Sequence, residues 1–463
     1  MTALVNSLRG IVGAEWVRTD EPARERYGQD GLGRPCLPDA VVFPAGTAEI
    51  ARIAALCHET RTPIVPRGAG TGYSGGAVPL RAGVLLSLER LNQILEIDDR
   101  SFLAVVQPNV ITGVLQAAVE AQGLFYPPDP ASLDRSAIGG NVAECAGGPR
   151  AFKYGTTKRY VLGLEAVLPT GVVIRTGSKT VKNVVGYDLT QLLVGSEGTL
   201  AILTEITLRL IPKPRARATV RATFPGIVSA VDGVRRLLHS GVVPSAIELI
   251  DAASLDAVRA YVGSSLAPDG TGAVLLLEAD GGEAAVAEDL ALMERACVAA
   301  GATEIRRAAD EAERGELWRL RRELSPALKT IARLKLNHDV VVPIGRIPEL
   351  FDLVDGLRRR HRLRIASFGH AGDGNIHVNI MADPNDAAEV ARAHEAERLL
   401  FEGVVALSGS ISGEHGIGYT KAPYLGIELS PATIDLMRRV KQTFDPNGIL
   451  NPGKIFPALS TER

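Results

Sequence analysis

The sequence predicts an α+β chain of more than one domain, and three observations carry that expectation. Its 463 residues exceed the ~250–300 at which a single hydrophobic core stops growing. Short strand and helix signals alternate as far as the proline breaker Pro212-Lys-Pro214. Beyond it, strands are separated by longer helices, the grammar of an antiparallel sheet covered by helices, before the tail closes on one capped helix and a turn.

The elements follow in order. Ile50, Ile53, Ala54 and Cys57 recur at helical spacing behind Thr47, which reads as an N-cap. Short strands are expected over 63–66 and 83–88. Thr112 opens a helix with Val114, Leu115, Ala118 and Val119 on its apolar face, closed by Gly123. Residues 163–168 and 200–211 read as strands, as do 273–277 and 339–342. Helices are expected over 283–300, 317–334, 347–360 and 387–407. Ser430 caps a last helix, with Pro431 at its first position and Phe444 at its end.

Composition removes several function classes. With 51 Lys+Arg against 53 Asp+Glu the net charge is −2, so no nucleic-acid partner and no polybasic membrane surface is expected. Cys36, Cys57, Cys145 and Cys297 stand far apart without a CxxC pair, which argues against a disulfide framework or an iron–sulfur cluster held by this chain. The first nine residues carry no basic-then-apolar leader, and no transmembrane segment is evident. A cytoplasmic protein is the expectation.

Glycine is in excess, with 48 residues, and it clusters. Pro66-Arg-Gly-Ala-Gly-Thr-Gly-Tyr-Ser-Gly-Gly76 holds a formal GxGxxG, but a strand-like run follows it where a dinucleotide fold would need a helix. What remains is a run of small residues whose amides can form an anion nest. Similar segments recur at 138–148 and 194–199. Three of them, read as loops bordered by strands, suggest backbone approaching one large phosphate-bearing cofactor at several points, which glycine alone permits.

These segments, together with Gly186-Tyr-Asp188, Gly195-Ser-Glu-Gly198 and Asn451-Pro-Gly-Lys454, resemble the p-cresol methylhydroxylase/vanillyl-alcohol oxidase class of FAD proteins. Within it the chain is most similar to the 2-hydroxy-acid branch of glycolate oxidase flavin subunits, D-lactate dehydrogenases and D-2-hydroxyglutarate dehydrogenases. The resemblance implies an FAD-binding domain of two α+β subdomains over 1–214 and an antiparallel-sheet substrate (cap) domain with a metal site over 215–420. A C-terminal helical segment, 421–463, would return to the FAD domain. Arg67, Gly68, Ala69, Gly70, Thr71, Gly72, Ser74 and Gly75 would cradle the FAD pyrophosphate. Ser132, Gly139, Gly140, Asn141, Gly147, Gly148 and Ile202 would line the flavin and its linker, with Asn451 also at the cofactor. No His lies in these segments, so non-covalent FAD is expected despite Cys145.

Two short motifs suggest a metal. In Phe368-Gly-His-Ala-Gly-Asp-Gly-Asn-Ile-His-Val-Asn379 the Asp373-Gly374 pair signals a two-residue hairpin, which would set His370 opposite His377 and leave Asn379 on the same face. Ser412-Gly-Glu-His-Gly-Ile-Gly418 adds Glu414 and His415. Two imidazoles and a carboxylate make a catalytic ligand set with an open position, taken here for Zn²⁺ first and for Mn²⁺ or Fe²⁺ as alternatives. His415, with a pKa near working pH, is the candidate general base. The resemblance implies the same roles, with Asn379 as a substrate contact. His58, His239, His361 and His394 are expected to be satisfied core residues.

The resemblance places a substrate-carboxylate clamp at Arg321 and Ser325. Asn337 aligns with the lysine that binds a distal carboxylate in dicarboxylate-specific relatives, with Lys335 on the same strand face as a substitute. The expected activity is oxidation of a small D-2-hydroxy acid, glycolate or D-lactate, to the 2-oxo acid. Alternatives are a D-2-hydroxyglutarate dehydrogenase, a flavin subunit active only within a multi-subunit glycolate oxidase, and a non-redox transferase similar to alkyl-glycerone-phosphate synthases. Electrons would leave to an iron–sulfur partner subunit, a quinone or an electron-transfer flavoprotein, with peripheral attachment to the inner membrane through such a partner. A homodimer is compatible with the sequence.

Overall fold

The computed structural model describes residues 2–33, 36–262 and 269–457. It divides into two units: Met1–Gly147, Thr156–Lys213 and Glu414–Arg463 form the first, and Gly148–Gly155 and Pro214–Gly413 the second.

The first unit holds two main sheets. Strands β1 (Val17–Arg18), β2 (Ala40–Val42), β3 (Ile64–Arg67) and β4 (Val84–Ser87) lie in the order β1-β2-β4-β3, with β2, β4 and β3 parallel. Strands β5 (Ile94–Asp98), β6 (Leu103–Val106), β8 (Val161–Val167), β9 (Val173–Gly177) and β10 (Ile202–Arg209) form an antiparallel sheet, β5-β6-β10-β8-β9. The short strands β7 (Leu124–Phe125) and β11 (Ile211–Pro212) pair separately. The helix Thr47–Glu59 buries Ile50, Ile53, Ala54 and Cys57 completely against the first sheet, as its spacing demands. Its cap is the extended Gly46, and Thr47 is already helical. In Thr112–Glu120 the inward face is Thr112, Leu115, Gln116 and Val119, while Val114 is exposed. Gln116 displaces the expected apolar stripe because its amide donates to Tyr126 O and Pro128 O. Ser430 caps Pro431–Phe444 by accepting from Thr433 N at 3.2 Å, and the following segment bridges Leu450 to Ile64 beside β3.

The second unit is built on one antiparallel sheet of seven strands. These are β12 (Ala216–Phe224), β13 (Ala246–Asp251), β14 (Ala273–Gly281), β15 (Glu304–Arg307), β16 (Leu334–Val341), β17 (Arg364–His370) and β18 (Asn375–Ala382), ordered β15-β12-β14-β13-β17-β18-β16. Helices Ala252–Val262 and Glu311–Ile331 cover one face, where Leu320, Leu324 and Leu328 pack with Ile250, Phe368 and Met381. Helices Ile227–His239, Glu283–Ala299, Ile347–His361 and Ala387–Ala406 cover the other. The helix expected over 317–334 starts six residues earlier, where Asp310 accepts from Glu313 N, and yields at its end to β16. Of the four histidines expected in the core only His361 is buried; His239 and His394 lie on outward helix positions and His58 is half-buried. Among the described residues no helix is long and apolar enough to cross a membrane.

Candidate active site

In the first unit, β3 runs into the glycine segment 68–76. Gly70 and Gly75 adopt φ of +67° and +82°. Both conformations favour glycine, and a Cβ at Gly70 would lie 2.1 Å from the Arg67 guanidinium while one at Gly75 would lie 2.0 Å from the Tyr419 ring. Among the described residues, no group accepts from the amides of Gly68, Ala69, Gly70, Thr71 or Gly72. Gly72 and Gly140 both face open space. Consecutive unanswered N–H groups beside open volume fit an anionic pyrophosphate.

The second glycine segment corrects the sequence reading. Ile138–Glu144 is a helix, not a loop. Its glycine-rich start is fixed by Ile138 N to Val110 O (2.9 Å) and Gly139 N to Pro108 O (2.7 Å). Asn141 is buried and donates to Thr112 Oγ1 at 2.7 Å, so its amide fastens this helix rather than facing outward. Ser132 closes a turn by accepting from Arg135 and Ser136, and Gly148 has φ +141°. Ile202 is fully buried in the core of the first sheet, which leaves only its main chain for a ligand.

Arg67 is buried and donates to Gln29 O at 2.5 Å; burial draws its pKa down, against the pull of Asp30. Asn451 clasps two glycine segments together, donating to Gly76 O (2.8 Å) and Glu197 O (2.9 Å). Lys454 donates to Gly75 O and Val78 O, and burial pushes its ammonium down to about 8. His415 lies against Tyr73, ring centroids 5.6 Å apart, with Nε2 3.8 Å from Glu414 Oε1.

In the second unit the hairpin register differs from the one expected. His370 stands opposite Asn375 and His377 opposite Phe368, so the turn is the four residues 371–374. A two-residue type I′ turn needs φ > 0 at both central residues, and only Gly374 (φ +81°) has it. The face survives the change: Phe368 and His370 share one side of β17, and His377 therefore joins them. The two imidazoles meet edge-on at 5.4 Å between centroids.

Glu248, fully buried on β13 opposite His370, accepts from His370 Nδ1 and from Arg321 Nε. Burial alone would raise its carboxyl, but His370 and Arg321 together hold it well below the usual carboxylate range. The Glu248 carboxylate therefore receives the Nδ1 proton of His370 in a hydrogen bond and fixes the orientation of its ring. Arg321 also covers the Phe368 ring at 4.6 Å. Its helix neighbour Ser325 accepts from Lys335 Nζ at 3.0 Å. Burial, with Lys329 nearby, pushes Lys335 down to about 8.

Asn337 and Asp339 on β16 face Asn379 and His377 on β18. Asn379 is fully buried and donates to Ala366 O and His377 O, while its Oδ1 has no partner among the described residues. Asp339 accepts from Gly413 N at 2.8 Å, so the end of this unit's chain is tied beside the strand partner of His377. Glu414 is the next residue, its Cα about 3.8 Å along the chain from that of Gly413. Sequence reasoning missed Glu248; its signal was an acid inside the otherwise apolar run Ala246-Ile-Glu-Leu-Ile250.

Two family models match the chain: an FAD binding domain over residues 38–177 and the C-terminal domain of FAD linked oxidases over 213–455. The chain belongs to the FAD-linked oxidase family. It is 44% identical over 430 residues to glycolate oxidase subunit GlcD of Bacillus subtilis, covering 92% of this chain and 91% of that one. It is 39% identical to the Escherichia coli K12 subunit of the same name (99% and 92% covered) and 35% identical to a probable mitochondrial D-lactate dehydrogenase of Danio rerio (99% and 92%). Among solved structures, p-cresol methylhydroxylase with substrate bound superposes with a TM-score of 0.81 at 18% identity, covering 98% of this chain and 96% of that one. An alkyldihydroxyacetonephosphate synthase gives 0.77 at 21%, covering 98% and 86%. At such identity these two speak to the fold alone. This FAD-linked oxidase is an oxidoreductase, with the α+β FAD-binding and antiparallel-sheet domains of the p-cresol methylhydroxylase class.

Proposed function

We propose that this FAD-linked oxidase converts a small D-2-hydroxy acid, glycolate or D-lactate, to its 2-oxo acid, with non-covalent FAD and a divalent cation, Zn²⁺ before Mn²⁺ or Fe²⁺. His370, His377 and Glu414 hold the cation. The observation that carries this reading is the His370–His377 pair, with Glu248 orienting the first imidazole. The GlcD relatives favour glycolate, and the D-lactate dehydrogenase relative favours the next larger acid.

When bound, FAD takes up the hydride of the CH–OH carbon, and the cation lowers the pKa of the substrate hydroxyl. The chain's own residues do the rest. His415 takes the hydroxyl proton. Arg321, held through Nε by Glu248, has its two Nη groups to offer the substrate carboxylate, joined by Ser325. Asn379 presents its unpartnered Oδ1 to the substrate hydroxyl before the proton leaves. The electrons pass on to an iron–sulfur partner, a quinone or an electron-transfer flavoprotein.

A second reading has its own observation. Lys335 is a half-buried cation whose described partner is a serine hydroxyl, and such a group favours an anionic ligand. This points to a dicarboxylic substrate such as D-2-hydroxyglutarate. Dye reduction by the purified chain on glycolate, D-lactate and D-2-hydroxyglutarate, with and without chelator, tests both. Chelator-sensitive turnover of the small acids supports the first reading, and a preference for the dicarboxylate supports the second. Turnover indifferent to chelator would remove the metal from either.

A further inference from the structure

The segment Gly195-Ser-Glu-Gly198 was read above as a cofactor loop, yet the side chain of Glu197 is committed elsewhere. Glu197 is buried and adopts φ +52°, a left-handed conformation that residues bearing a side chain rarely take. Its own N–H donates to Ala143 O at 2.8 Å, and its carbonyl accepts from Asn451. Its two carboxylate oxygens accept separately from Ile417 N (2.8 Å) and Gly418 N (2.6 Å), the amides two and three residues past His415. Both carboxylate oxygens thus serve the segment that carries the proposed base.

Only Gly416 lies between His415 and that anchor. It has φ +76°, and a Cβ there would sit 2.2 Å from Glu144 Oε2 and 3.0 Å from Glu197 Oε1. A side chain at 416 would therefore press on both carboxylates, in a backbone conformation that favours glycine. Burial raises the Glu197 carboxyl, partly countered by the two amides and by Lys421 and Lys454.

We infer that Glu197 is a positioning residue for His415: it holds the 416–418 backbone so that the imidazole is presented in one orientation. This rests on the reading of His415 as the base. The Glu197 carboxylate is taken up by the Ile417 and Gly418 amides, so its loss should slow the chemical step and leave substrate binding alone. A base displaced by about 1 Å can cost on the order of 100-fold in rate.

The test uses the FAD-loaded chain in anaerobic single-turnover bleaching of the flavin absorbance. E197Q replaces one acceptor oxygen with an NH₂ group that faces an N–H donor. It is expected to bleach about 10- to 100-fold more slowly, with KM changed less than about 2-fold and FAD content unchanged. Amide exchange across 414–420 should quicken in E197Q by about 10-fold or more. E197D keeps the carboxylate and should recover part of the rate. G416A leaves Glu197 intact but pushes the same backbone, and should reproduce the rate defect if E197Q fails to fold. H415N runs alongside. Slow bleaching by H415N with wild-type bleaching by E197Q and G416A would overturn the inference alone. Wild-type bleaching by H415N would overturn the base assignment, and this inference with it.

Discussion

At His370 the neighbouring carboxylate decides the chemistry. Glu248 accepts from Nδ1 and so orients the imidazole, which on the proposed reading turns Nε2 to the cation. E248Q keeps the shape but weakens that orientation. It should reduce metal affinity about 10- to 100-fold, read by titrating metal into the stripped protein, with FAD content unchanged. Lys335 gives a pH dependence with a definite sign. Its ammonium is charged below about 8 and neutral above, so an anion held by it is lost as pH rises through about 8. On the dicarboxylate reading, KM for D-2-hydroxyglutarate should climb above that pH in the wild type and stay flat in K335M; the same climb in K335M would remove Lys335 from the site. None of this partnership is legible locally, since Glu248 and His370 are separated by 122 positions.

At the scale of elements, the hairpin explains why the histidine pair was legible although its register was not. Moving the partner of His377 from 370 to 368 shifts the pairing by two, which preserves the face; a shift by one would have inverted it. Helices with regular apolar spacing were likewise legible, and 47–59 and 431–444 needed no tertiary information. The helix Ile138–Glu144 was not, because Gly139 and Gly140 disfavour helix and its start is fixed by Pro108 and Val110 from a distant loop. Gly374 is the tightest point of the hairpin: φ is +81° and a Cβ would lie 1.9 Å from Val342 O. G374A should destabilise the chain by roughly 1–3 kcal/mol or more in urea unfolding, and should impair metal retention by moving His370. Unchanged stability would show that the turn relaxes freely.

Over the whole molecule, the glycine segments were readable because close backbone approach leaves a compositional trace that survives in one sequence. How five amides at 68–72, without an acceptor among the described residues, come together is a matter of backbone path, visible only in the structure. A ligand that satisfies them binds the folded chain and not the unfolded one. FAD at about 100 times its Kd should therefore add about 2.7 kcal/mol to unfolding, seen as a rise in Tm when FAD is returned to stripped protein. The central claim concerns His370, His377 and Glu414, and elemental analysis of the purified chain beside H377A reaches it most directly. The account predicts about one divalent metal per wild-type chain, lost from H377A while FAD remains. A metal-free wild-type chain that oxidises glycolate or D-lactate at full rate in chelator would contradict it.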